Sequence, residues 1–500
     1  MLRLYSTKTP DEHFLKRGAY FQIIPKEVFI KSIHSKVIST SLNKETISRL
    51  RSISRKTLTT ETDRQCYAYD ATNMQYMPDA IVFPDNEEQV SQILKLANEK
   101  EFPVVPRGAG SGLTGGALAV KGGLVVVMTR MNQILNIDMD NLVADVQPGV
   151  VTGLFHQRVQ HLGFFYPPDP SSSAYSTLGG NVAECAGGPS AVKYGVTRDY
   201  VLGLNVVIPG GAIIQTGVRT AKGVVGYDLT RLITGSEGTL GIITQITLKL
   251  LPKPKYTQTL TVFYPSMHDA AKNVSEIIRQ GLIPKTIEYL DHAAIACMPA
   301  DLPGGIPSEA KAMLIIEIDG IPEQIDTECL QIMDLAHQYQ AISIRKAENA
   351  AESNAIWQAR KAISPALYKY APDKINEDIV VPRSLIPDFV DKVDELRHAT
   401  GLTMITFGHA GDGNIHFTVM LDKNDANTKK KADLVIESIF DYTLSLGGTL
   451  SGEHGIGISK SAYLEKEINP QTLTLMRQIK KAFDPKGILN PGKIFPGDIS

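Results

Sequence analysis

Cysteine is scarce in this 500-residue chain, and the four present, Cys66, Cys185, Cys297 and Cys329, form no CxxC pair. That spacing excludes a paired-cysteine zinc ribbon or a thioredoxin-like redox motif, and it fits free thiols in a reducing compartment. No run of about 18 apolar residues occurs, so no membrane span is expected. Excess charge of either sign is missing as well. A net charge of −2 provides no general attraction to nucleic acid or to anionic membranes, and no nucleic-acid partner is expected. Internal repeats and low-complexity linkers are also absent.

What remains is an ordinary globular composition, 43% hydrophobic and 21% charged, in a chain long enough for two or three domains. The first 60 residues depart from it, with 12 Lys/Arg against 4 Asp/Glu and many Ser and Thr. Asp11, Glu12 and a weak amphipathic pattern argue against a transit peptide. The expectation is a peripheral basic extension over residues 1–60 on a cytoplasmic protein, with peripheral membrane attachment or a mitochondrial location as alternatives.

The run Ala80-Ile81-Val82-Phe83 predicts a strand. Asp85 follows as N-cap, with Glu88 three residues on, before a helical stripe of Val90, Ile93, Leu94 and Ala97. Pro103-Val104-Val105 resumes extended structure and leads into PRGAGSGLTGGA, residues 106–117, with five glycines in nine positions. Glycine admits φ > 0 and close approach of a ligand, leaving N–H groups free for phosphate oxygens. Counted from Gly108, a GxGxxG match fails at its sixth position, Leu113, and Gly122 and Gly123 interrupt before the strand at Leu124 where a helix would be needed, so a Rossmann fingerprint is not satisfied. Alone, the segment reads either as a phosphate loop on another scaffold or as a glycine-rich surface loop. Three further turns adjoin apolar strands: PPDPSS (167–172), STLGGNVAECAGG (176–188) and GSEGTLGIIT (235–244). Several such loops feeding one sheet suit an extended dinucleotide.

The order PRGAGSGLTGG, PPDPSS, GGNVAECAGG, KYGVTRDYVLG, GSEGTLGIIT resembles the FAD domain of FAD-linked oxidases of p-cresol methylhydroxylase type. Within them it is most similar to the branch of glycolate oxidase D-type subunits, D-lactate dehydrogenases and D-2-hydroxyglutarate dehydrogenases. The resemblance spans about residues 67–495. It implies an α+β chain: a p-cresol methylhydroxylase-type FAD-binding domain (61–253), an α+β substrate and metal domain with an antiparallel sheet (254–460), and a C-terminal segment (461–500) returning to the FAD domain. It also implies non-covalent FAD, and PRGAGSGLTGG holds no His or Cys for a tether. Carried over by motif, the cofactor residues are Pro106, Arg107, Gly108, Gly110, Ser111, Gly112, Leu113, Thr114, Gly115 and Gly116. Pro168, Asp169, Ser172, Gly179, Gly180, Gly187, Gly188, Glu237, Gly238, Ile243 and Asn490 complete that set.

Pro252-Lys253-Pro254 marks a boundary. Beyond it, patterns predict strands at 260–263 and 312–318 and helices ending at Gly281, over 323–340, near 384–400 and over 426–446. FGHAGDGNIHF (407–417) reads as a hairpin, with His409 and His416 at its mouth. With Glu453 of SGEHGIG (451–457) these would form a His₂Glu set, the ligand type of catalytic zinc and also of non-haem iron. From the residues alone, histidines that are merely polar strand ends remain an alternative. Neighbouring side chains diverge in extended backbone, which would turn His454 away from the same metal. Arg360 and Ser364 lie one turn apart on a predicted helix, and a guanidinium suits carboxylate capture.

The family match at HxGDGNxH and EHGxG implies a divalent metal, zinc by preference, on His409, His416 and Glu453. It implies His454 as the base, and Arg360, Ser364, Lys374 and Asn414 on the substrate. KINEDIVVP (374–382) departs from the 2-hydroxyglutarate enzymes, because Asn376 stands where they carry a basic residue. The expected activity is therefore oxidation of glycolate or D-lactate to the 2-oxo acid, with 2-hydroxyglutarate as the alternative substrate. An electron acceptor (quinone, cytochrome or electron-transfer flavoprotein) and a homodimer or iron–sulfur partner subunits complete the expectation. Same-fold flavoenzymes of alkyl-glycerone-phosphate synthase type, with no net redox chemistry, are the less favoured reading.

Overall fold

The computed structural model describes residues 42–495 and 497. Most of the basic stretch, and with it the question of a transit peptide, falls outside the described residues. From residue 42 the chain packs. Helix α1 (Lys44–Ile53) buries Leu50 against Val90 and Leu94, so the core of the first lobe reaches back into the stretch expected to be extension.

The first lobe holds two sheets. The smaller orders β1 (Thr57–Leu58), β2 (Ala80–Val82), β4 (Leu124–Val127) and β3 (Val104–Arg107), with β2, β4 and β3 parallel. Helix α2 (Glu87–Lys100) crosses between β2 and β3, as the sequence predicts, but its N-cap is Asn86. Asp85 instead pairs with Arg130 at 2.5 Å. The second sheet orders β5 (Ile134–Asp138), β6 (Val143–Val146), β9 (Ile242–Lys249), β7 (Val201–Val207) and β8 (Ile213–Gly217). The short helix α3 (Leu178–Glu184) carries the GGNVAE run beside it.

The second lobe is one seven-stranded antiparallel sheet. Its strands are β10 (Tyr256–Tyr264), β11 (Thr286–Asp291), β12 (Ala312–Gly320), β13 (Ser343–Lys346), β14 (Asp373–Val380), β15 (Thr403–His409) and β16 (Asn414–Leu421). They lie in the order β13-β10-β12-β11-β15-β16-β14. Alternation sends one set of side chains into a core with α4 (Met267–Arg279), α5 (Pro322–Gln338), α7 (Ile386–Thr400) and α8 (Ala426–Ser445). The opposite face packs α6 (Ala350–Ala366) on Phe263, Ile405 and Phe407, and its polar end is left for the site.

After α9 (Pro470–Phe483) the chain returns to the first lobe. Val104 donates its N–H to the Ile488 carbonyl at 2.8 Å, and Asn490 donates to the Val104 carbonyl at 2.7 Å, extending the small sheet at β3. Lys480 secures this return from within the core. Its ammonium donates to the carbonyls of Thr239 and Leu489, both at 2.8 Å, and to Asp484 at 2.5 Å. Asp484 in turn accepts the N–H groups of Ile488 and Leu489. Removing one member of a buried pair leaves the other charge uncompensated, which costs roughly 3–5 kcal/mol. Asp484→Ala is therefore expected to lower the unfolding free energy measured in urea by a matching amount, and an unchanged midpoint and slope would show that the clamp does not contribute to stability.

Candidate active site

The hairpin β15–β16 places the two histidines diagonally on one face, with Phe407 opposite His416 and His409 opposite Asn414. The outer strands each add a buried acid in register. Glu288 of β11 lies across from His409, and Asp378 of β14 lies across from His416. Glu453 arrives on a turn from the other direction, its Oε1 3.7 Å from Nε2 of both histidines. The donor atoms of His409, His416 and Glu453 all lie within 4.8 Å of one another.

Burial and charge decide the protonation of this group. Burial favours neutral His416, and the neighbouring His409 adds to it, lowering its pKa to about 3. A neutral imidazole is the metal-binding form. Burial also opposes charge on His409, but Glu288 and Glu453 outweigh it and hold its pKa well above the usual value. Burial would raise Glu288 too, yet Arg360 and His409 bring it down to about 2. His409 Nδ1 bonds to Glu288, while its Nε2 is buried without a hydrogen-bond partner. A carboxylate on one ring nitrogen, with the other nitrogen free and aimed at a second carboxylate, is the arrangement that orients a metal-ligating histidine.

The turn 451–457 depends on Asp378. Its Oδ2 accepts N–H groups from Gly452 (3.0 Å), Glu453 (2.6 Å) and His454 (3.0 Å), and Lys460 donates to Oδ1 at 2.6 Å. His454 Nδ1 lies 3.3 Å from the same Oδ1. The segment is a turn rather than a strand, so Glu453 and His454 do not diverge as extended neighbours would. His454 Nε2 comes within 3.9 Å of Glu453 Oε1, and the His454 ring stacks on His416 at 5.6 Å and 18°. Glu453 can lie where it does because Gly187 faces it, where a Cβ would fall 2.8 Å from Oε2.

On α6, Arg360 and Ser364 both reach the site. The Arg360 guanidinium lies over Phe407 at 4.6 Å, donates to Glu288 through Nε (2.7 Å) and forms an ion pair with it at Nη2 (2.5 Å), leaving Nη1 without a partner among the described residues. Lys374 does not line the cavity. It donates to Ser364 Oγ at 2.8 Å and lies over Tyr368. Asn376 lines it in its place, accepting from Thr418 at 2.8 Å. Asn414 is also outside the lining, its amide donating to the Ile379 carbonyl at 3.0 Å.

A cavity of about 510 Å³ runs from this cluster into the first lobe. Pro106, Arg107, Gly108, Gly110, Ser111, Gly112, Leu113, Gly116, Ser172, Gly179, Gly180, Glu237, Gly238 and Ile243 line it, as do His416, Glu453 and His454. The other expected cofactor residues sit one layer back. Thr114 accepts the Ile458 N–H at 2.8 Å, and a Cβ on Gly115 would fall 2.5 Å from Ile458. The Pro168 carbonyl bonds His156, while Asp169, which burial raises to about 6, accepts from Ser190 and leaves room for no Cβ on Gly188. Asn490 donates to the carbonyls of Gly116 and Glu237, tying two cavity loops together.

The cavity suits an extended, phosphate-bearing ligand. Arg107 is buried with one guanidinium nitrogen, Nη1, unpartnered, and a Cβ on Gly108 would lie 2.4 Å from Thr177 Oγ1. Sequence reasoning missed Glu288, Asp378 and Glu184. Their only signal was an acid inside a strand or at a helix end.

Residues 78–217 match the FAD binding domain family, and residues 253–494 match the family described as FAD linked oxidases, C-terminal domain. The chain is 44% identical over 436 residues to glycolate oxidase subunit GlcD of Bacillus subtilis (strain 168), covering 87% of this chain and 93% of that protein. It is 36% identical over 428 residues to D-lactate dehydrogenase of Anaerostipes hadrus, covering 83% and 89% respectively. The structure of p-cresol methylhydroxylase with substrate bound shares its fold, with a TM-score of 0.75 at 18% identity over 90% of this chain and 96% of that one. The chain belongs to the FAD-linked oxidases, flavin-dependent oxidoreductases built on a p-cresol methylhydroxylase-type FAD-binding domain.

Proposed function

We propose that this protein is an FAD-dependent dehydrogenase of small D-2-hydroxy acids, converting glycolate or D-lactate to the 2-oxo acid. One observation carries the reading: the His409, His416 and Glu453 donor set, the His454 imidazole and the Arg360 guanidinium converge at one end of the FAD cavity. Relatives named as a glycolate oxidase subunit and a D-lactate dehydrogenase support the substrate class.

In this reading Arg360 binds the substrate carboxylate through its unpartnered edge, held in orientation by Glu288 and Phe407. His454 takes the hydroxyl proton. Asp378 beside Nδ1 leaves Nε2 as the accepting nitrogen and stabilises the imidazolium that forms. His409, His416 and Glu453 would hold a divalent cation, zinc by ligand type, which when bound supplies Lewis acidity toward the α-hydroxyl. FAD, when bound, supplies the acceptor for the Cα hydride. A short, uncharged substrate side chain is favoured over a distal carboxylate. Asn376 is neutral, Lys374 is engaged by Ser364, and Lys361, which lines the cavity besides Arg107 and Arg360, is exposed. A quinone, a cytochrome or an electron-transfer flavoprotein would reoxidise the flavin. Among the described residues no helix is long and apolar enough to cross a membrane.

The cation should matter to turnover rather than to folding, because the set sits at the edge of a large independent core. Chelation, or Glu453→Gln, is expected to abolish flavin reduction while FAD content and melting temperature stay near normal. Full activity in protein shown to be metal-free would sink this assignment.

Arg360 and His454 separate in kinetics. Losing a charged hydrogen-bond partner costs about 1.5–3 kcal/mol, so Arg360→Ala should raise KM roughly ten- to hundredfold. It should also lower kcat, since Glu288, which also holds His409, loses a partner. His454→Ala should lower kcat by about 10²–10⁴-fold with little change in KM. The measurement is anaerobic stopped-flow flavin reduction by glycolate, D-lactate and L-lactate, in which D-lactate is expected to outpace L-lactate. Wild-type reduction rates in His454→Ala would place the base elsewhere.

A further inference from the structure

Glu184, the last residue of α3, lines the FAD cavity between the glycine loop and the turn that carries His454. Neither of its oxygens has a hydrogen-bond partner among the described residues, and Oε2 is buried. Two glycines leave space around it. A Cβ on Gly116 would lie 2.8 Å from Oε1, and one on Gly455 would lie 2.4 Å from Oε2. Gly455 has φ +84° and also faces Glu237, whose Oε1 would be 2.9 Å from the same Cβ. The two carboxyl groups therefore flank one point.

Two buried carboxyls this close cannot both hold a full negative charge. Their surroundings decide which one ionises. Burial raises Glu237 as well, but it accepts the N–H of Ile456 through Oε1 and that of Gly457 through Oε2, both at 2.7 Å, and these donors favour its anion over that of Glu184. Glu184 has no such donors. Burial, then the charges of Glu237 and Asp70, and more weakly Asp378, push its proton affinity well up. Lys493 opposes them, but its ammonium is committed to the Leu118 carbonyl (2.6 Å) and Asn490 Oδ1 (3.2 Å).

We infer that Glu184 belongs to the cofactor site itself, as a neutral carboxylic acid that donates its O–H to an acceptor atom of the bound FAD near its reactive end. A protonated acid in a cavity wall is a directed donor, and an O–H left without an acceptor in a buried place is costly. No hydrogen bond among the described residues takes up Glu184, and its side chain lines the cavity, so the cavity is the direction left for its proton. The inference needs FAD but neither the metal nor the hydroxy-acid substrate.

The test uses the FAD-loaded enzyme and reads the flavin. Glu184→Gln keeps a neutral donor of similar size. Its reduction potential should match wild type, and its FAD dissociation constant should stay within about twofold. Glu184→Ala removes the donor and should weaken FAD binding roughly three- to tenfold, the range of one neutral hydrogen bond, and lower the potential. A higher potential in Glu184→Gln would reveal an ionised carboxylate and overturn the inference. So would unchanged affinity and potential in Glu184→Ala. Wild type provides a check that does not depend on either variant folding. Its infrared difference spectrum on flavin reduction should contain the carbonyl band of a protonated carboxylic acid, and absence of that band also overturns the inference.

Discussion

Two buried carboxylates hold one turn, and the site depends on that constraint. Residues 452–457 form no strand or helix, so their N–H groups need partners from elsewhere. Asp378, from the sheet of the second lobe, takes three of them, and Glu237, from the first lobe, takes two. The turn is thereby fastened to both lobes at once, and it carries Glu453 and His454. Neither side chain could hold its direction if the backbone beneath it were free. Lys460 balances the charge on Asp378 from inside the core, so the anion is stable where it lies.

A second carboxylate, Glu288, joins two parts of the chemistry that are distant in sequence. It orients His409 by one oxygen and Arg360 by the other. The guanidinium that would meet substrate and the imidazole that would meet a cation are therefore set by the same anion, and neither can shift alone. Across the hairpin, His416 sits opposite Asp378 in register. The four strands at one end of the sheet, β11, β15, β16 and β14, thus present acid, histidine, histidine, acid side by side. A sheet imposes that spacing through its strand separation, which makes it a stiffer support than a loop.

Much of this was legible before any coordinates. Alternating and continuous apolar runs marked the strands, the glycine-rich turns marked the cavity loops, and the histidines of FGHAGDGNIHF were visible because a glycine turn must bring them together. These signals are local: period, turn chemistry and spacing act over a few residues. Errors were local too. Asp85 and Asn86 are both good caps, and only the reach of Arg130 removed Asp85 from the role.

What tertiary structure alone decided was the state and direction of single polar residues. Glu288 reads as one acid in TIEYLD, Asp378 as one in NEDIVVP and Glu184 as one at a helix end. Nothing adjacent says that the first is held ionised by Arg360, 72 residues away, or that the second takes N–H groups up to 76 residues away. Lys374 and Asn376 point to the same side of β14, yet a contact with Ser364 withdraws the lysine from the cavity wall. Hydrophobic periodicity survives changes of neighbour because burial is summed over whole faces. A charge in a low-dielectric interior is settled by the few atoms within hydrogen-bond reach, and folding supplies those from distant segments.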